Sequence, residues 1–506
     1  MRTVRKRFVS IFSLLTVAVL LTVFESDFLF RIQEQNLFLH TPLFFQQHMV
    51  TAGGLLTWIG CYFTQFFYFP MLGVGILCLL WALLMWLLER AFRIPSAWCL
   101  MVLIPVACLV LTIMELGYWI FYLKLSGYAF DATIGSIVVI ASAWLYRVLP
   151  RRYGISTFYI VISTGIGYPL FGFYGLWAAL LMAIMAWHNA NCRIADVVVA
   201  ILSAIVIPLI YYQFVYHETN LVNIYWTALP VFAMHKVSYF SYYWPYIALI
   251  VCISLMAVGF PKKDWKWMQV AVLTITIGCV AVFWYKDANF HSELSMQRSM
   301  ERQDWEQVLK TARASRGEPT RAMCMMQNLA LYRLGRMDKE VFSYPNGAKR
   351  PDAPFPVRIV HTQGKQLYLQ YGIPNYSHRW CMEDGVEYGW NVGELQLMTK
   401  CALLNNEPIA AMRFANLLNK TGFHKSLAKK YKAYIQNPAL MMGDEELRPI
   451  LPLLRQDNFL TGDQSQLEMF LVEHILSTPG TTREQQELAS LTRYYYRNNR
   501  YKLIEQ

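Results

Sequence analysis

Long apolar segments separated by short polar connections repeat along the first 285 residues of the chain. A helix needs about 20 mostly apolar residues to cross the hydrocarbon core of a bilayer, so segments of this length predict membrane spans. No small-residue cleavage site follows the first segment, which favours an uncleaved span over a signal peptide. The pattern predicts about nine spans, at Val9–Phe24, Met71–Leu88, 97–121, 131–148, 155–171, 174–188, 196–214, 245–260 and 267–284.

The apolar stretch from Gly53 to Leu88 is too long for a single span. Pro70 follows an aromatic run and interrupts the helical pattern. We therefore predict an interfacial or re-entrant helix at Leu55–Phe69, ahead of the second span. Between the first span and this helix lies a polar loop at 25–52, part of which is predicted to form an amphipathic helix on the membrane surface.

From Asn289 onward the pattern changes to amphipathic helices separated by turns. Helical pairs are predicted at Met300–Ala314 with Arg321–Leu334, and at Gly393–Asn405 with Pro408–Thr421. Parts of these pairs resemble tetratricopeptide half-repeats, although no regular period of about 34 residues is visible. The predicted fold class is all-α: a polytopic transmembrane helical bundle followed by a soluble, tetratricopeptide-like helical domain.

The distribution of charge predicts a domain boundary near residue 285. Residues 1–285 carry 16 Lys+Arg and 9 Asp+Glu, whereas 286–506 carry 29 and 24. We therefore predict a transmembrane domain at 1–285 and a soluble domain at 286–506. The net charge of +12 does not indicate nucleic-acid binding, because the basic residues either cluster at the ends of apolar segments or alternate with acidic residues.

The basic residues also predict the orientation of the spans. With the N-terminus in the cytoplasm, 13 of the 16 basic residues in 1–285 lie at inner ends, and only Arg31, Lys124 and Lys236 lie in outer connections. This asymmetry is typical of the positive-inside rule. An odd number of spans then places 286–506 on the extracytoplasmic side, which predicts a multi-pass protein of the bacterial cytoplasmic membrane.

Glu25 and Asp27 are the leading candidates for catalysis, because they directly follow the first span. Carboxylates at the edge of a helical bundle are costly unless they are solvated, paired or used. One interpretation is that they are solvated loop charges that help to cap the next helix. The other is that they hold a proton or a metal opposite a lipid-linked substrate, with Arg31 as a substrate-binding residue.

Four further residues are candidates for substrate binding. Glu115 lies near the outer end of a predicted span, and His217, His235 and Lys236 lie in an outer loop close to an aromatic cluster. Asp131, at the start of another span, is a weaker candidate for function. The aromatic runs near Tyr118 and Tyr239 fit an interfacial belt, or a platform for a sugar or lipid headgroup.

The cysteine pattern gives no indication of a metal site. The 10 cysteines show no CxxC pair, and most lie in apolar helices where they pack as small core residues. Three lie in the soluble part, and one disulfide among Cys324, Cys381 and Cys401 is compatible with an oxidising compartment. The sequence therefore leaves the cofactor open.

The carboxylates after the first span, the helix on the membrane surface and the number of spans resemble the GT-C glycosyltransferase superfamily. The resemblance concerns architecture, and only Glu25 and Asp27 match positions that carry function in that superfamily. It implies that one of them acts as a base, or as a ligand of a divalent metal, in transfer from a polyprenyl-phosphate sugar. No WWD-type motif of oligosaccharyltransferases is present.

The chain also resembles a family of bacterial multi-pass proteins with a helical-repeat tail and no known activity. The segments that carry this likeness are FTQFFYFPMLG at 63–73, RWCMEDG at 379–385 and the stretch at 398–431. Two hypotheses follow. The chain is either a transferase that acts on a lipid-linked sugar among membrane lipids, or a membrane scaffold whose tail at 286–506 recruits a protein partner for envelope assembly or export.

Overall fold

The computed structural model describes residues 2–150, 154–188, 193–234, 236–261, 266–336, 340, 343–345, 347–454, 483 and 486. Within these residues the chain is all-α, apart from a two-residue antiparallel pairing of β1 (Ala233–Met234) with β2 (Val237–Ser238). The chain divides into two compact units, described one at a time below. The first comprises Met1–Leu116 and Leu123–Tyr285, and the second comprises Gly117–Tyr122 and Lys286–Gln506.

The helices of the first unit account for most of the predicted apolar segments. They are α1 (Arg2–Phe24), α2 (Ser26–Glu34), α3 (Pro42–His48), α4 (Gly54–Thr64), α5 (Pro70–Phe92), α6 (Leu103–Met114), α7 (Tyr128–Val148), α8 (Ile155–Phe171), α9 (Phe173–Trp187), α10 (Ile194–Phe214), α11 (Trp244–Val258) and α12 (Lys266–Phe283). Short 3-10 turns precede α5, α6 and α11, at Gln65–Tyr68, Ser96–Val102 and Phe240–Tyr243.

Five helical segments among the described residues are long and apolar enough to cross a membrane, namely Pro70–Phe92, Ser96–Met114, Tyr128–Val148, Ile194–Phe214 and Phe240–Val258. The total is seven if two helix pairs with a short break, Val9–Phe24 with Ser26–Glu34 and Trp267–Phe283 with Ala288–Glu301, each count as one span. Two shorter apolar helices, α8 and α9, complete the set. The unit therefore has the composition of a membrane-embedded bundle.

The predicted re-entrant segment is a short helix that is separate from α5. With 11 residues, α4 is about 17 Å long, which is well short of a membrane's hydrocarbon core of about 30 Å. Pro70 takes the first position of α5, where its missing N–H costs no helical hydrogen bond. Helix α4 packs on α7, which also contacts α5 and α9, so α7 lies at the centre of the unit.

The outer surface of the first unit is apolar. Helix α10 exposes Ile201, Leu202, Ile205 and Ile210, although its first-turn Asp196 is buried. Exposed apolar surface on this scale is unusual for a soluble protein and is typical of helices that contact lipid acyl chains. The burial pattern thus agrees with the composition in favouring a membrane environment.

The second unit consists of helices that pack against their sequence neighbours. They are α13 (Ala288–Glu301), α14 (Trp305–Ala314), α15 (Arg321–Arg333), α16 (Gly364–Gln370), α17 (Pro374–Glu387), α18 (Val392–Leu404), α19 (Pro408–Leu418) and α20 (Lys425–Gln436). Single 3-10 turns lie at Ile359–His361, Pro438–Gly443 and Leu451–Leu453. A core of methionine, leucine and tyrosine side chains, including Met300, Leu329 and Tyr368, joins α13–α15 to α16 and α17.

One short segment differs from the sequence-based division. Gly117–Phe121 forms a 3-10 turn, and the residues from Gly117 to Tyr122 belong to the second unit, although the hydropathy pattern extends a span to residue 121. Gly117 adopts a φ of 50°, in the left-handed region that favours glycine, just after α6 ends. The aromatic side chains of this segment are buried in protein, which differs from the expected interfacial belt.

Candidate functional site

Glu25 occupies the single position between α1 and α2, whose axes differ in direction by 76°. Its side chain is 4% exposed, and its Oε1 accepts a hydrogen bond of 2.7 Å from the indole N–H of Trp284. Trp284 directly follows α12, the last helix of the first unit. The predicted catalytic carboxylate is therefore buried and oriented by a residue from the far end of the unit.

Helix α2 buries charge along most of its length. Asp27 is half-buried in its first turn, where the helix dipole favours a negative charge. Further along, Arg31 and Glu34 form an ion pair of 2.5 Å, and both side chains are less than a tenth exposed. Arg31 is therefore a buried partner of Glu34 within its own helix, rather than a solvated cation of an outer loop.

Glu115 lies at the same end of α12 as Glu25. Its Oε1 accepts a hydrogen bond of 2.9 Å from the indole N–H of Trp244, whose ring packs 4.4 Å from that of Phe283. The backbone N–H of Tyr285 donates to the carbonyl oxygen of Met114 at 3.1 Å. Phe283, Trp284 and Tyr285 thus connect two carboxylates that the sequence places 90 positions apart.

The two carboxylates share one form of stabilisation. Each accepts a hydrogen bond from a neutral indole, which positions the carboxylate without neutralising it. An indole that is fixed by ring packing orients the oxygens more strongly than a flexible basic side chain would. This arrangement can present a carboxylate as a base, or as one ligand of a cation.

The other predicted binding residues lie elsewhere in the first unit. His217 is exposed after α10, and Lys236 is exposed in the turn between β1 and β2 with a φ of 68°. His235 lies outside the described residues. The structure thus links Glu25 and Glu115 to the same end of α12, through Trp284 and through the packing of Trp244 on Phe283.

A second charged cluster lies inside the second unit. Lys365 on α16 donates to Asp384 Oδ2 on α17 at 2.6 Å and to Glu394 Oε1 on α18 at 2.7 Å. His361 Nδ1 lies 2.7 Å from Asp384 Oδ1. Lys365, Asp384 and Glu394 are each about 95% buried, so three successive helices are joined through a single ammonium group.

Burial and charge oppose each other within this cluster. Burial disfavours the charged ammonium of Lys365 and lowers its pKa. The neighbouring carboxylates of Asp384 and Glu394 raise this pKa by more, so that it lies above the usual value. Burial likewise works against the Asp384 carboxylate, yet Lys365 and His361 hold its pKa below the usual value. The pKa of Glu394 is raised by burial, which Lys365 only partly offsets. Lys365 and Asp384 therefore form a pair in which both side chains are charged.

Aromatic rings surround His361. The rings of Tyr122, Trp380 and Tyr388 lie 5.5, 5.5 and 5.7 Å from its imidazole, in edge-to-face orientations. The Tyr122 hydroxyl accepts a hydrogen bond of 3.0 Å from the backbone N–H of Arg358. His361 is thus an imidazole oriented by Asp384 and enclosed by aromatic side chains, an arrangement that stabilises the unit internally.

The sequence analysis contained Asp384 only as part of the RWCMEDG segment, and it missed His361, Lys365 and Glu394. His361 ends a 3-10 turn and Lys365 lies on the next helix, so no helical spacing connects them. Glu394 lies ten residues beyond Asp384 on a different helix, and no local pattern connects the two.

The described residues contain no group of three or more His, Cys, Asp or Glu side chains that could hold a metal ion. Cys324, Cys381 and Cys401 are buried as thiols, so the disulfide considered from sequence does not form among them.

The comparisons with known proteins agree with the resemblance to a family without known activity. The chain matches a family of unknown function (DUF6057) over residues 2–482, which is nearly its whole length. No curated protein and no solved structure matches it. The chain belongs to the DUF6057 family.

Proposed function

We propose that this chain is an integral membrane glycosyltransferase of GT-C-like design that uses a polyprenyl-phosphate sugar as donor. The observation that carries the proposal is the Glu25 carboxylate, which directly follows the first apolar helix and is oriented by Trp284. A carboxylate at this position is costly to keep in a buried site unless it is used. Glu115, held in the same way, marks the same region as a polar site.

In the proposed reaction, Glu25 accepts the proton of an acceptor hydroxyl. The hydroxyl oxygen forms a bond to the anomeric carbon of the sugar while the bond from that carbon to the phosphate oxygen breaks. Polyprenyl phosphate leaves with the electron pair of the broken bond. General-base catalysis of this kind contributes about 100- to 10,000-fold in rate.

The proposal also assigns the number of membrane spans and the side of the membrane on which each terminus lies. Counting α1, α12, α8 and α9 together with the five longer segments gives nine spans, with the N-terminus in the cytoplasm and the second unit outside. The apolar surface of α10 and its neighbours would contact the prenyl chain and the lipids of a bacterial cytoplasmic membrane. Asp27, half-buried in the first turn of α2, is the alternative base.

A second candidate function is a membrane-anchored scaffold. The observation that favours it is the sequential packing of α16 to α20, in which each helix contacts the next. Helix pairs stacked in this way are typical of tetratricopeptide-like solenoids, which bind peptides along one face. Under this alternative the second unit recruits a protein partner, and the carboxylates of the first unit serve stability alone.

The full-length protein in lipid vesicles, supplied with a polyprenyl phosphate that carries a radiolabelled hexose and with extracted membrane glycolipids, tests the proposal. A transferase releases free polyprenyl phosphate and labels a new product. The control is Glu25→Gln with Asp27→Asn, a double variant that removes both candidate bases. Release that is equal in the wild type and the double variant would contradict the transferase and leave the scaffold as the better account.

A further inference from the structure

Asp131 is a carboxylate buried inside the first unit. It lies in the first turn of α7, the helix at the centre of the unit, and is 2% exposed. Neither oxygen of its side chain has a hydrogen-bond partner among the described residues. The hydroxyl of Tyr128, three positions earlier on α7, is also buried and without a partner among these residues.

Within the described part of the chain, the titratable groups found around Asp131 are not cations. Cys61 on α4, Tyr174 on α9 and Tyr246 on α11 each interact electrostatically with it. None of these groups carries a positive charge in any protonation state. Helix α4 approaches closely, since a Cβ atom added to Gly60 would lie 1.8 Å from Asp131 Oδ1.

Asp196 shows what a paired carboxylate looks like in the same unit. It also lies in the first turn of a membrane helix and is also 2% exposed. Its oxygens accept hydrogen bonds from the hydroxyl groups of Tyr146 at 2.9 Å and Thr157 at 2.6 Å, and Arg193 lies 3.7 Å away. Asp196 therefore has the partners that an ionised carboxylate requires, and Asp131 does not.

An ionised carboxylate at Asp131 would be very costly. Burying an unpaired charge in protein carries a large desolvation penalty even after relaxation. The dipole at the start of α7 offsets only a small part of that penalty. A positively charged occupant removes most of this cost, and the close approach of α4 favours the smallest one, a proton.

We propose that Asp131 is an intramembrane proton-binding site that exchanges its proton with the surrounding solution. The bound proton makes the side chain a neutral carboxylic acid, which suits the apolar contact between α4 and α7. Loss of the proton leaves a bare charge in that contact, so deprotonation requires α4 and α7 to separate or water to enter. The site is independent of the proposed transferase activity and would couple proton uptake to a movement of α4.

Infrared difference spectroscopy on the full-length protein in lipid tests the proposal, because a carboxylic acid and a carboxylate absorb at separate frequencies. The difference between wild type and Asp131→Asn should contain a carboxylic-acid band at mildly acidic pH. The band should disappear at alkaline pH and return on re-acidification. The matched control, Asp196→Asn, should remove a carboxylate band and no acid band.

Three results would overturn the proposal. A carboxylate band from Asp131 at every pH would mean that the side chain is ionised. An acid band that does not respond to pH would mean a permanently protonated structural group. Replacement of the acid band by a carboxylate band on adding sodium at constant pH would mean that the occupant is a metal cation.

Discussion

The Glu25 carboxylate accepts a hydrogen bond of 2.7 Å from the indole N–H of Trp284, although 259 positions of the sequence separate the two residues. The bond joins the end of the first apolar helix to the end of the last helix of the first unit. It fixes one carboxylate oxygen without neutralising its charge. This orientation makes Glu25 the strongest candidate for chemistry in the chain.

Replacing Trp284 with Phe should destabilise the membrane unit. The substitution keeps an aromatic ring but removes the hydrogen bond to a carboxylate, which is worth about 1.5–3 kcal/mol. We expect a lower thermal unfolding midpoint for the full-length protein in detergent. Trp267→Phe is the matched control, because Trp267 lies on α12, the helix that Trp284 follows, and is 84% exposed. Equal midpoints for the two variants would show that the Trp284 bond contributes nothing.

Replacing Lys365 with Met should loosen α16, α17 and α18 together. The substitution leaves the carboxylates of Asp384 and Glu394 buried without their shared cation, which typically costs about 3–5 kcal/mol. Hydrogen exchange of the peptides that cover these helices measures the effect in the full-length protein. As a control, Arg379→Met removes a more exposed pair with Glu383 at 3.7 Å and should change exchange little.

Loss of the Glu293 proton should destabilise the second unit as pH rises. Burial raises the pKa of its carboxyl from 4.5 to about 7, even though Tyr118 and Thr320 donate hydrogen bonds to it. Because the folded state holds this proton more tightly than the unfolded state, stability is lost between about pH 4.5 and pH 7.

Glu293→Gln mimics the protonated acid and should remove this loss, which amounts to about 3 kcal/mol. Thermal midpoints of the full-length protein across this pH range measure the effect. The control is Glu383→Gln, whose side chain is 58% exposed. A wild type and a Glu293→Gln variant with parallel pH dependence would contradict the assignment of the titration to Glu293.

Replacing Gly60 with Ala should disturb the contact between α4 and α7. The added Cβ would lie 1.8 Å from Asp131 Oδ1 and 2.7 Å from the carbonyl oxygen of Gly127, so the helices must move apart. Overpacking of this kind costs about 1–3 kcal/mol. Gly75→Ala on α5 is the matched control, because no atom lies within 4 Å of its added Cβ. Equal thermal stability of the two variants would argue against this packing.

Hydropathy predicted the helices of the first unit well, because each has to be apolar over most of its length. The segment predicted at 155–171 is the observed α8 (Ile155–Phe171), and the one at 196–214 is within two residues of α10 (Ile194–Phe214). The break at Pro70 was also predicted. Whether a segment forms a helix, and how its apolar residues are spaced, depends on neighbouring residues, so both can be predicted from the sequence.

Tyr118 and Tyr122 are positions at which hydropathy predicts the wrong environment. Both are apolar enough to extend a span, but their side chains lie in the core of the second unit, against Phe290 and His361. Hydropathy reports only that a side chain avoids water, and it does not distinguish a lipid environment from a protein core.

The candidate sites depend on contacts between distant positions, which a single sequence does not reveal. Glu25 was predicted as a candidate for catalysis because it directly follows the first span. Its hydrogen bond to Trp284 could not be predicted. Lys365 and Asp384 lie on separate helices, and their pairing depends on how those helices pack. Asp131 was ranked low because its position suggested interface depth, whereas the structure buries it.

The transfer rate of Glu25→Gln in lipid vesicles, with a polyprenyl-phosphate hexose as donor, tests the central claim most directly. Gln keeps an oxygen that can accept the Trp284 hydrogen bond, but it cannot take a proton from the acceptor. We predict a loss of about 100-fold or more at unchanged thermal stability, while Glu218→Gln, in an exposed loop of the same unit, retains the wild-type rate. A Glu25→Gln variant that transfers sugar at the wild-type rate would contradict the account.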